Sequence, residues 1–583
     1  MIVRVLPEGT IDKEFDYSVP DGWDDRVRVG TMVRVELHGR RVGAWIVDAD
    51  VAPREGIDLR PLAKVTGWGP PADVVDLARW AAWRWAGRPA SFLRTASPPG
   101  AVRVLPDPVG PDPVSAEPLD DPLLTDALRR PRGVLRLAPG ADRYPLVLAA
   151  ASDPDGDALV LCPSVTEAQR LAARLARSGH PVACLAHDRP GAAAAGEWAR
   201  AAAGGVTVIG ARAGAWAPMP RLGRVVVLDE HDERYQAEQA PTWHARDVAR
   251  ERAERVGRPC LLVSPCPTLE ALDWGDLLVP SRAEERRGWP SVEVVDRRHD
   301  DPTKGGLFSD RFVDLLRAPG RVVCVVNRIG RARLLACATC GELGRCEVCA
   351  ASVEQLEAGV LRCRRCGTER PVVCSACGST RFRNLRVGVT RAREELEALA
   401  GEPVGEVTGA SEHGDPGTRV VVGTQAVLHR VASADAVAFL DFDQELTAAR
   451  YRAPEQALAM LALAGRVVRG RQAHGRLLVQ TRQPDHPVIE AALHADPGRV
   501  TAVEAPLRAA LQLPPAAALA LVSGAAAGDL IERLGAPLGL RIDGPADGVW
   551  RLVAPSHQVL CDALAAVERP PGRLRIEVDP LRV

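Results

Sequence analysis

Lysine is nearly absent from this sequence. Of the 74 basic residues only three are lysines, Lys13, Lys64 and Lys304, and none of them follows a glycine. A Walker A phosphate-binding loop needs a glycine-rich turn that ends in Gly-Lys, because the lysine ammonium neutralises the β- and γ-phosphates of the nucleotide. The sequence therefore excludes a conventional loop of this kind.

Long apolar runs are also missing. No stretch of about 18 apolar residues occurs, which argues against a membrane-spanning helix, and the strand-like start Met1-Ile-Val-Arg-Val does not resemble a signal peptide. These absences predict a cytoplasmic protein whose cysteines stay reduced. The net charge of -1 requires any nucleic-acid surface to be local, and 583 residues predict roughly three to five domains.

Cysteine, in contrast, is concentrated in one segment. Eight of the 14 cysteines form four C-x-x-C pairs, Cys337/Cys340, Cys346/Cys349, Cys363/Cys366 and Cys374/Cys377. Each such turn brings two thiolates near one ion, and Zn²⁺ takes four ligands at tetrahedral corners. A disulfide framework is typical of short secreted chains, and iron–sulfur clusters use other spacings. The pattern therefore predicts two structural Zn²⁺ ions per chain, with no coordination position left for water.

The spacing of the pairs favours a nested arrangement. Five residues separate the first two pairs, a short link for two turns that face one ion, whereas thirteen separate the second and third. We therefore expect an inner site of Cys346, Cys349, Cys363 and Cys366 and an outer site of Cys337, Cys340, Cys374 and Cys377. An interleaved pairing stays open. The segment is rich in arginine, so the metal ions would supply folding energy that its small core lacks.

The rest of the chain predicts a multidomain α/β protein. Alternating apolar residues near the N-terminus indicate β-strands, and short apolar runs separated by Ala/Arg-rich stretches indicate parallel α/β sheets. The predicted layout is a β-rich N-terminal domain at 1–100, a Pro-rich linker or winged-helix remnant at 101–139, a first α/β lobe at 140–285, a second α/β lobe at 286–336 and 378–495 with the double zinc segment 337–377 inserted, and a small α+β domain at 496–583.

Two acids end one predicted strand, Arg224-Val-Val-Val-Leu-Asp-Glu. In parallel α/β sheets the ligand crevice lies at the carboxyl ends of the strands. Asp229 and Glu230 are therefore candidates for a Mg²⁺–nucleotide site, and an acidic cap on the loop is the alternative interpretation.

Several motifs occur in an order that resembles the PriA family of bacterial primosomal proteins. They are Glu14-Phe-Asp-Tyr, Trp216-Ala-Pro-Met-Pro-Arg-Leu-Gly, Leu228-Asp-Glu-His-Asp-Glu-Arg-Tyr, Pro241-Thr-Trp-His-Ala-Arg-Asp-Val, Asn327-Arg, Gly423-Thr-Gln, Tyr451-Arg-Ala-Pro-Glu, Ala464-Gly-Arg and Val479-Gln-Thr. The resemblance covers nearly everything except about 101–140. It implies two helicase-like lobes and the nested pairing of the cysteines.

The resemblance also implies a DNA-binding function. The N-terminal domain would hold the 3′ end of a nascent strand at a stalled or abandoned fork, with Phe15, Asp16, Tyr17, Gly39 and Arg60 at the pocket. An aromatic face stacks a base, a carboxylate accepts from a ribose hydroxyl and an arginine contacts phosphate. On the residues alone, packing of Phe15 and Tyr17 inside the β-domain is favoured. Implied partners are forked DNA, other primosome proteins and the machinery that loads the replicative helicase.

The arginines Arg328, Arg331 and Arg333, together with those around the cysteines, offer a second DNA contact along the backbone. A solvated charged surface explains them equally well.

The sequence departs from the family at the motor. At the place equivalent to the family's Gly-Lys loop stands Leu146-Val-Leu-Ala-Ala-Ala-Ser-Asp-Pro-Asp-Gly-Asp, and the family's Asp-Glu-Glu-His reads Asp229-Glu230-His231. Arg466 and Arg469 remain at the arginine-finger places. Loss of lysine and of Mg²⁺ ligands removes most of the electrostatic stabilisation of phosphoryl transfer. We therefore predict the degenerate actinobacterial type of the family, without ATP-driven unwinding and without a firm site for ATP and Mg²⁺.

Three hypotheses follow. The first is a fork-binding replication restart protein that is not an enzyme. The second is an ATP-dependent 3′–5′ helicase with an atypical nucleotide site. The third is a zinc-ribbon interaction module on an inactive α/β core.

Overall fold

The computed structural model describes residues 1–9, 12–53, 59–110, 119–186, 191–298, 307–326, 334–356, 359–385, 389–409 and 415–582. Arg328, Arg331 and Arg333 lie outside these ranges. Within them, no helix combines the length and the apolar character that a membrane span requires.

The N-terminal domain is a five-stranded antiparallel sheet followed by two helices. Its elements are β1 (Ile2–Pro7), β2 (Phe15–Ser18), β3 (Met32–Leu37), β4 (Arg40–Ala49), β5 (Lys64–Gly67), α1 (Ala72–Arg84) and α2 (Pro89–Ala96), with strand order β2-β1-β4-β3-β5. Alternation along β3 buries Val33 and Val35 and exposes Arg34 and Glu36. The sheet therefore has one apolar face and one charged face.

Lobe 1 is a seven-stranded, all-parallel sheet. Its elements are α3 (Pro122–Arg129), β6 (Arg132–Arg136), α4 (Tyr144–Ala151), β7 (Asp157–Leu161), α5 (Val165–Arg177), β8 (Val182–Leu185), α6 (Ala192–Ala203), β9 (Thr207–Gly210), β10 (Leu222–Leu228), α7 (Ala245–Arg255), β11 (Cys260–Ser264), α8 (Leu269–Trp274), β12 (Asp276–Leu278) and α9 (Arg282–Gly288), with strand order β12-β6-β11-β10-β7-β9-β8. The predicted boundary between residues 139 and 140 is wrong, because β6 pairs in parallel with β11 and β12.

Lobe 2 is a six-stranded parallel sheet with order β13-β23-β22-β14-β21-β20. Its elements are β13 (Ser291–Asp296), α10 (Asp310–Arg317), β14 (Val322–Val325), α11 (Val389–Ala400), β20 (Val404–Val407), β21 (Val420–Gly423), α12 (Ala426–Arg430), β22 (Ala436–Phe439), α13 (Asp443–Leu446), α14 (Ala453–Val467), β23 (Arg476–Thr481), α15 (Pro487–His494) and α16 (Gly498–Ala510).

The cysteine segment is inserted between β14 and α11. It consists of β15 (Leu334–Cys337), β16 (Val353–Gln355), β17 (Val360–Cys363), β18 (Glu369–Pro371) and β19 (Phe382–Leu385), in which β15 pairs with β19 and the other three strands form an antiparallel sheet. The C-terminal domain carries β24 (Ala518–Ser523), α17 (Ala527–Leu534), β25 (Arg541–Ala546), β26 (Val549–Ala554), α18 (His557–Ala565) and β27 (Arg575–Val578).

One apolar cluster joins three of these domains. It contains Val74 of α1, Val227 of β10 and Ala520 of β24, all fully buried. The N-terminal helices and the C-terminal domain thus pack against lobe 1. Lobe 2 has its own cluster, in which Phe439 and Leu461 are buried. The same cluster includes Ala138 and Cys266 of lobe 1, so the lobes share apolar contacts in addition to the polar contacts at Asp229, described next.

Candidate functional sites

Asp229 is held by two arginines, one from each lobe. It follows β10 directly, with φ at 53°, and is 2 % exposed. Arg143 Nη1 donates to Asp229 Oδ2 at 2.5 Å. Arg466 of α14 donates to both carboxylate oxygens, at 2.7 Å each. The carboxylate that would ligate Mg²⁺ is therefore occupied by side chains of the chain itself.

Electrostatics keeps Asp229 ionised. Burial by itself would raise the pKa of its carboxyl, but the charges of Arg143 and Arg466 outweigh burial and hold the pKa below its ordinary value. Arg143 also donates to Glu167 at 2.6 Å. The negative charges of Asp229 and Glu167 cancel the positive charges of the two arginines. These four groups therefore offer no net positive charge to attract a polyphosphate.

The loop equivalent to a phosphate-binding loop does not lie at 146–157, where the sequence predicted it. Leu146 and Val147 lie in helix α4 and are fully buried, so the stretch 146–157 is not the phosphate-loop equivalent. The loop between β6 and α4 is instead 137–143, and Arg143 stands at the end of it. Sequence reasoning missed this residue. The sequence feature that could have identified Arg143 is the run Gly140-Ala-Asp-Arg143 before a helix, in which arginine stands where the lysine of a phosphate-binding loop would be expected.

That loop is packed closely against backbone from another part of the chain. Gly140 N donates to Gly288 O at 2.9 Å. A Cβ added at Gly140 would lie 3.0 Å from Gly288 O and 3.2 Å from Arg469 O. A larger residue would require those atoms to shift by a few tenths of an ångström, so the loop packs closely against this backbone at Gly140.

Glu230 is also committed to internal contacts. It is fully buried and accepts hydrogen bonds from Arg246 Nη1 at 3.0 Å and from Thr268 N and Oγ1 at 2.8 and 2.9 Å. Arg469, in contrast, is exposed and has φ at 58° at the end of α14. Of the two predicted arginine fingers, the structure brings only Arg466 to the acids.

The N-terminal sheet carries an open pocket of about 460 Å³ lined by Glu36, Arg41, Arg60, Pro61, Leu62 and Ala63. Tyr17 lies in the core beside a residue that lines it: Tyr17 is 5 % exposed and its hydroxyl donates to Glu36 O at 2.8 Å. Burial raises the pKa of Tyr17, so the hydroxyl stays protonated. Arg60 pairs with Glu36 at 3.2 Å on the surface.

The other three residues predicted for this pocket are placed differently. Asp16 is opposite Arg4 in the β1–β2 register and accepts from Arg4 Nε at 2.8 Å, with its side chain fully buried. Phe15 is partly buried against the apolar core of the sheet, beside Tyr17. Gly39 lies in the β3–β4 turn with φ at 75°. The structure therefore groups Tyr17 with Arg60 and separates Asp16 from them.

The eight cysteines form two groups, each of four sulfur atoms within 4.8 Å of one another: Cys337, Cys340, Cys374 and Cys377, and Cys346, Cys349, Cys363 and Cys366. This is the nested arrangement. Cys346 Sγ lies 3.5 Å from Cys366 Sγ, and Cys337 Sγ lies 3.6 Å from Cys377 Sγ. A tetrahedron with metal–sulfur bonds of about 2.3 Å has edges of about 3.8 Å, whereas a disulfide is near 2.05 Å. Both groups can therefore hold a metal ion.

The two groups differ in their surroundings. In the outer group Cys340 and Cys377 are exposed, whereas in the inner group three of the four cysteines are buried. The inner group packs with Leu361 and Val353 and against Leu507 and Leu511 of helix α16 and its end. The inner group is thus part of a core that extends beyond the cysteine segment.

Comparisons with known proteins agree with these features. Residues 3–98 match the family model of the PriA 3′ DNA-binding domain. The probable replication restart protein PriA of Mycobacterium bovis is 29% identical over 612 residues, covering 96% of this chain and 90% of the relative. The corresponding protein of Mycobacterium leprae is 27% identical, covering 98% and 99%.

The replication restart protein PriA of Treponema pallidum is 30% identical over 425 residues, covering 66% of this chain and 64% of the relative. Among solved structures, the E. coli DExH-box NTPase HrpB has a TM-score of 0.33 and 15% identity over 62% of this chain and 40% of that one, a likeness too low to bear on function. Over nearly its whole length this chain is therefore similar to the replication restart proteins PriA, and its residues 3–98 match the 3′ DNA-binding domain of that family.

Proposed function

We propose that this chain is a replication restart protein that recognises stalled or abandoned forks through the 3′ end of the nascent strand. It would help to reload the replication machinery with other primosome proteins, without ATP-driven unwinding. The observation that carries the proposal is the pocket beside Tyr17 and Arg60 inside the matched 3′ DNA-binding domain.

Charge around the pocket supports a nucleic-acid ligand. On strands β3 to β5, Arg34 lies opposite Lys64 and Glu36 lies opposite Arg41. With Arg60, the exposed groups are four cations and one acid, a local excess of three positive charges on a chain whose net charge is -1. Such a patch attracts a DNA backbone, and its guanidinium groups suit a terminal phosphate. In this proposal Asp16 does not contact DNA but fixes β2 through Arg4.

The absence of a motor step follows from Asp229 and Glu230. Phosphoryl transfer needs a free cation for the phosphates and carboxylates for Mg²⁺. Here both acids are saturated by arginine and threonine donors. Binding of the fork would therefore not depend on nucleotide.

We further propose that both cysteine groups hold Zn²⁺. Four sulfur ligands with no other donor suit Zn²⁺, and a closed site of this kind supports folding rather than catalysis. When bound, the ions supply stability to a segment whose own apolar cluster is small.

Arg60→Glu is expected to weaken binding to a fork with a free nascent 3′ end by about tenfold, because a phosphate contact is replaced by repulsion. The slope of the logarithm of the binding constant against the logarithm of the salt concentration should fall by about one. Binding is measured by fluorescence anisotropy at several salt concentrations. The wild-type preference for this fork over one without the nascent strand should largely disappear. Arg94→Glu, on the exposed side of α2, is the matched control and should bind like wild type. Equal wild-type binding to both forks would contradict fork-end recognition.

A further inference from the structure

Two adjacent arginines between ligands of the inner cysteine group differ in their exposure and in their ion-pair partners. Arg364 and Arg365 both stand between Cys363 and Cys366. The Arg364 side chain is 59% exposed and contacts Glu354 at 2.7 Å within the cysteine segment. The Arg365 side chain is 4% exposed and its Nη2 donates to Glu504 Oε2 of α16 at 2.7 Å. The turn from Cys363 to Cys366 therefore also places the guanidinium group of Arg365 against helix α16, outside the cysteine segment.

From Arg365 the contacts continue along helix α16. Glu504 Oε2 lies 3.6 Å from Arg508 Nε. Arg508 is fully buried and donates from Nη2 to Glu455 of helix α14. Arg508 Nη1 also donates to Pro514 O at 3.3 Å. The guanidinium of Arg508 is thus the central group of the chain of contacts.

The far end of this chain lies in lobe 1. Glu455 Oε1 accepts from Leu269 N at the start of α8, at 2.8 Å. Glu270 Oε1 accepts from Arg452 Nη2 at 2.7 Å and lies 3.8 Å from Arg508 Nη1. Thr268, the residue before α8, is the donor to Glu230 described above. A series of ion pairs from Arg365 to Glu455, continued by hydrogen bonds at the start of α8, therefore connects the inner cysteine group to Glu230.

The series is balanced in charge. It contains the cations Arg365, Arg508 and Arg452 and the anions Glu504, Glu455 and Glu270. Burial would raise the pKa of Glu270, but Arg452 and Arg508 outweigh it and lower the pKa to about 2, so the group is ionised at neutral pH. Removing one member leaves its partner charged and buried, which is far more costly than losing an exposed pair.

We propose that the inner metal ion, by fixing the turn from Cys363 to Cys366, positions Arg365 and so keeps α16 of lobe 2 and the start of α8 of lobe 1 in their observed packing. Arg365 is a positioning residue in this scheme. The outer group has no such connection among the described residues and serves the cysteine segment alone. The proposal rests on metal binding by the cysteines, as set out above.

The test compares Arg365→Gln with Arg364→Gln in the full chain. Metal content is measured for each by mass spectrometry, and hydrogen exchange is followed in peptides that cover α8 and α16. We expect both variants to keep two metal ions. Arg365→Gln should exchange roughly tenfold faster at α8 and α16, whereas Arg364→Gln should match wild type. Adding Glu504→Gln to Arg365→Gln removes the unpaired charge and should restore part of the protection.

A second pair of variants tests the metal directly. Cys349→Ser removes an inner ligand and Cys340→Ser an outer one, and each should lower the metal content by about one ion. Faster exchange at α8 is expected only for Cys349→Ser. Equal exchange in both members of either pair would overturn the coupling. Absence of metal from the wild-type chain would instead contradict the metal proposal itself, and so the two failures are distinguishable.

Discussion

Removing both arginines that hold Asp229, in Arg143→Met/Arg466→Met, is expected to lower the free energy of unfolding of the lobe pair by about 3–5 kcal/mol. Asp229 is 2 % exposed and would be left with no guanidinium beside it, so folding would cost either a buried unpaired charge or the uptake of a proton. For a lobe pair of more than 300 residues a loss of this size lowers Tm by roughly 5 °C. Differential scanning calorimetry measures the shift, read on the first transition because a chain of several domains does not unfold in one step.

Arg469→Met provides the matched control for this prediction. Arg469 is near Arg466 in sequence but is exposed, so its replacement should change the free energy of unfolding by less than about 0.5 kcal/mol. Adding Asp229→Asn to the double variant removes the unpaired charge and should recover much of the loss. If Arg469→Met and the double variant were equally stable, Asp229 would not be held by these arginines in solution.

Chelation of both metal ions is expected to unfold the cysteine segment. A structural Zn²⁺ site contributes on the order of 10–16 kcal/mol at neutral pH, and this segment has only a small apolar cluster to oppose its loss. Treatment with a strong chelator should release two Zn²⁺ per chain and make the eight clustered thiols reactive toward an alkylating agent. Mass spectrometry of the alkylated peptides measures this directly.

The cysteines outside the clusters are the internal control. Cys162, Cys260 and Cys324 are buried in the sheets of the two lobes and should stay protected while those sheets remain folded. A metal content of one or none, or thiols that react before chelation, would contradict the assignment.

The metal sites were the part of the molecule most accessible from sequence. Coordination depends on a local feature, two cysteines three residues apart, and on link lengths that favour one pairing. Those rules cannot exclude the interleaved pairing, because they ignore the strands β15 to β19 that set the geometry. The structure brings together the nested sets. The α/β character of both lobes was also predictable, since buried parallel strands appear as short apolar runs.

The contacts at the acids could not be predicted in the same way. Arg143 and Asp229 are 86 residues apart, and Arg466 and Asp229 are 237 apart. Nothing in the local pattern pairs one arginine among more than seventy basic residues with one carboxylate. The strand β6 was missed for a related reason. It has only three buried residues between two arginines and follows a Pro- and Asp-rich stretch, so only its pairing with β11 reveals it.

Asp16 shows the limit of carrying over a motif. The run Phe15-Asp16-Tyr17 reads as one site, but residues that alternate along β2 point to different faces, and Asp16 meets Arg4 rather than the pocket. Arg60 is 43 residues further along the chain, yet it lies at the pocket beside the hydroxyl end of Tyr17. Which residues lie at this pocket is therefore determined by strand register rather than by proximity in the sequence.

The most direct measurement is phosphate release from ATP in the presence of Mg²⁺ and forked DNA, run beside fork binding with and without ATP. Because Asp229 and Glu230 are occupied by the chain's own donors, we predict no release above background, no stimulation by DNA and unchanged fork affinity when ATP is added. DNA-stimulated phosphate release that is lost in Asp229→Ala would contradict the account, since it would require a free carboxylate where Arg143 and Arg466 now lie.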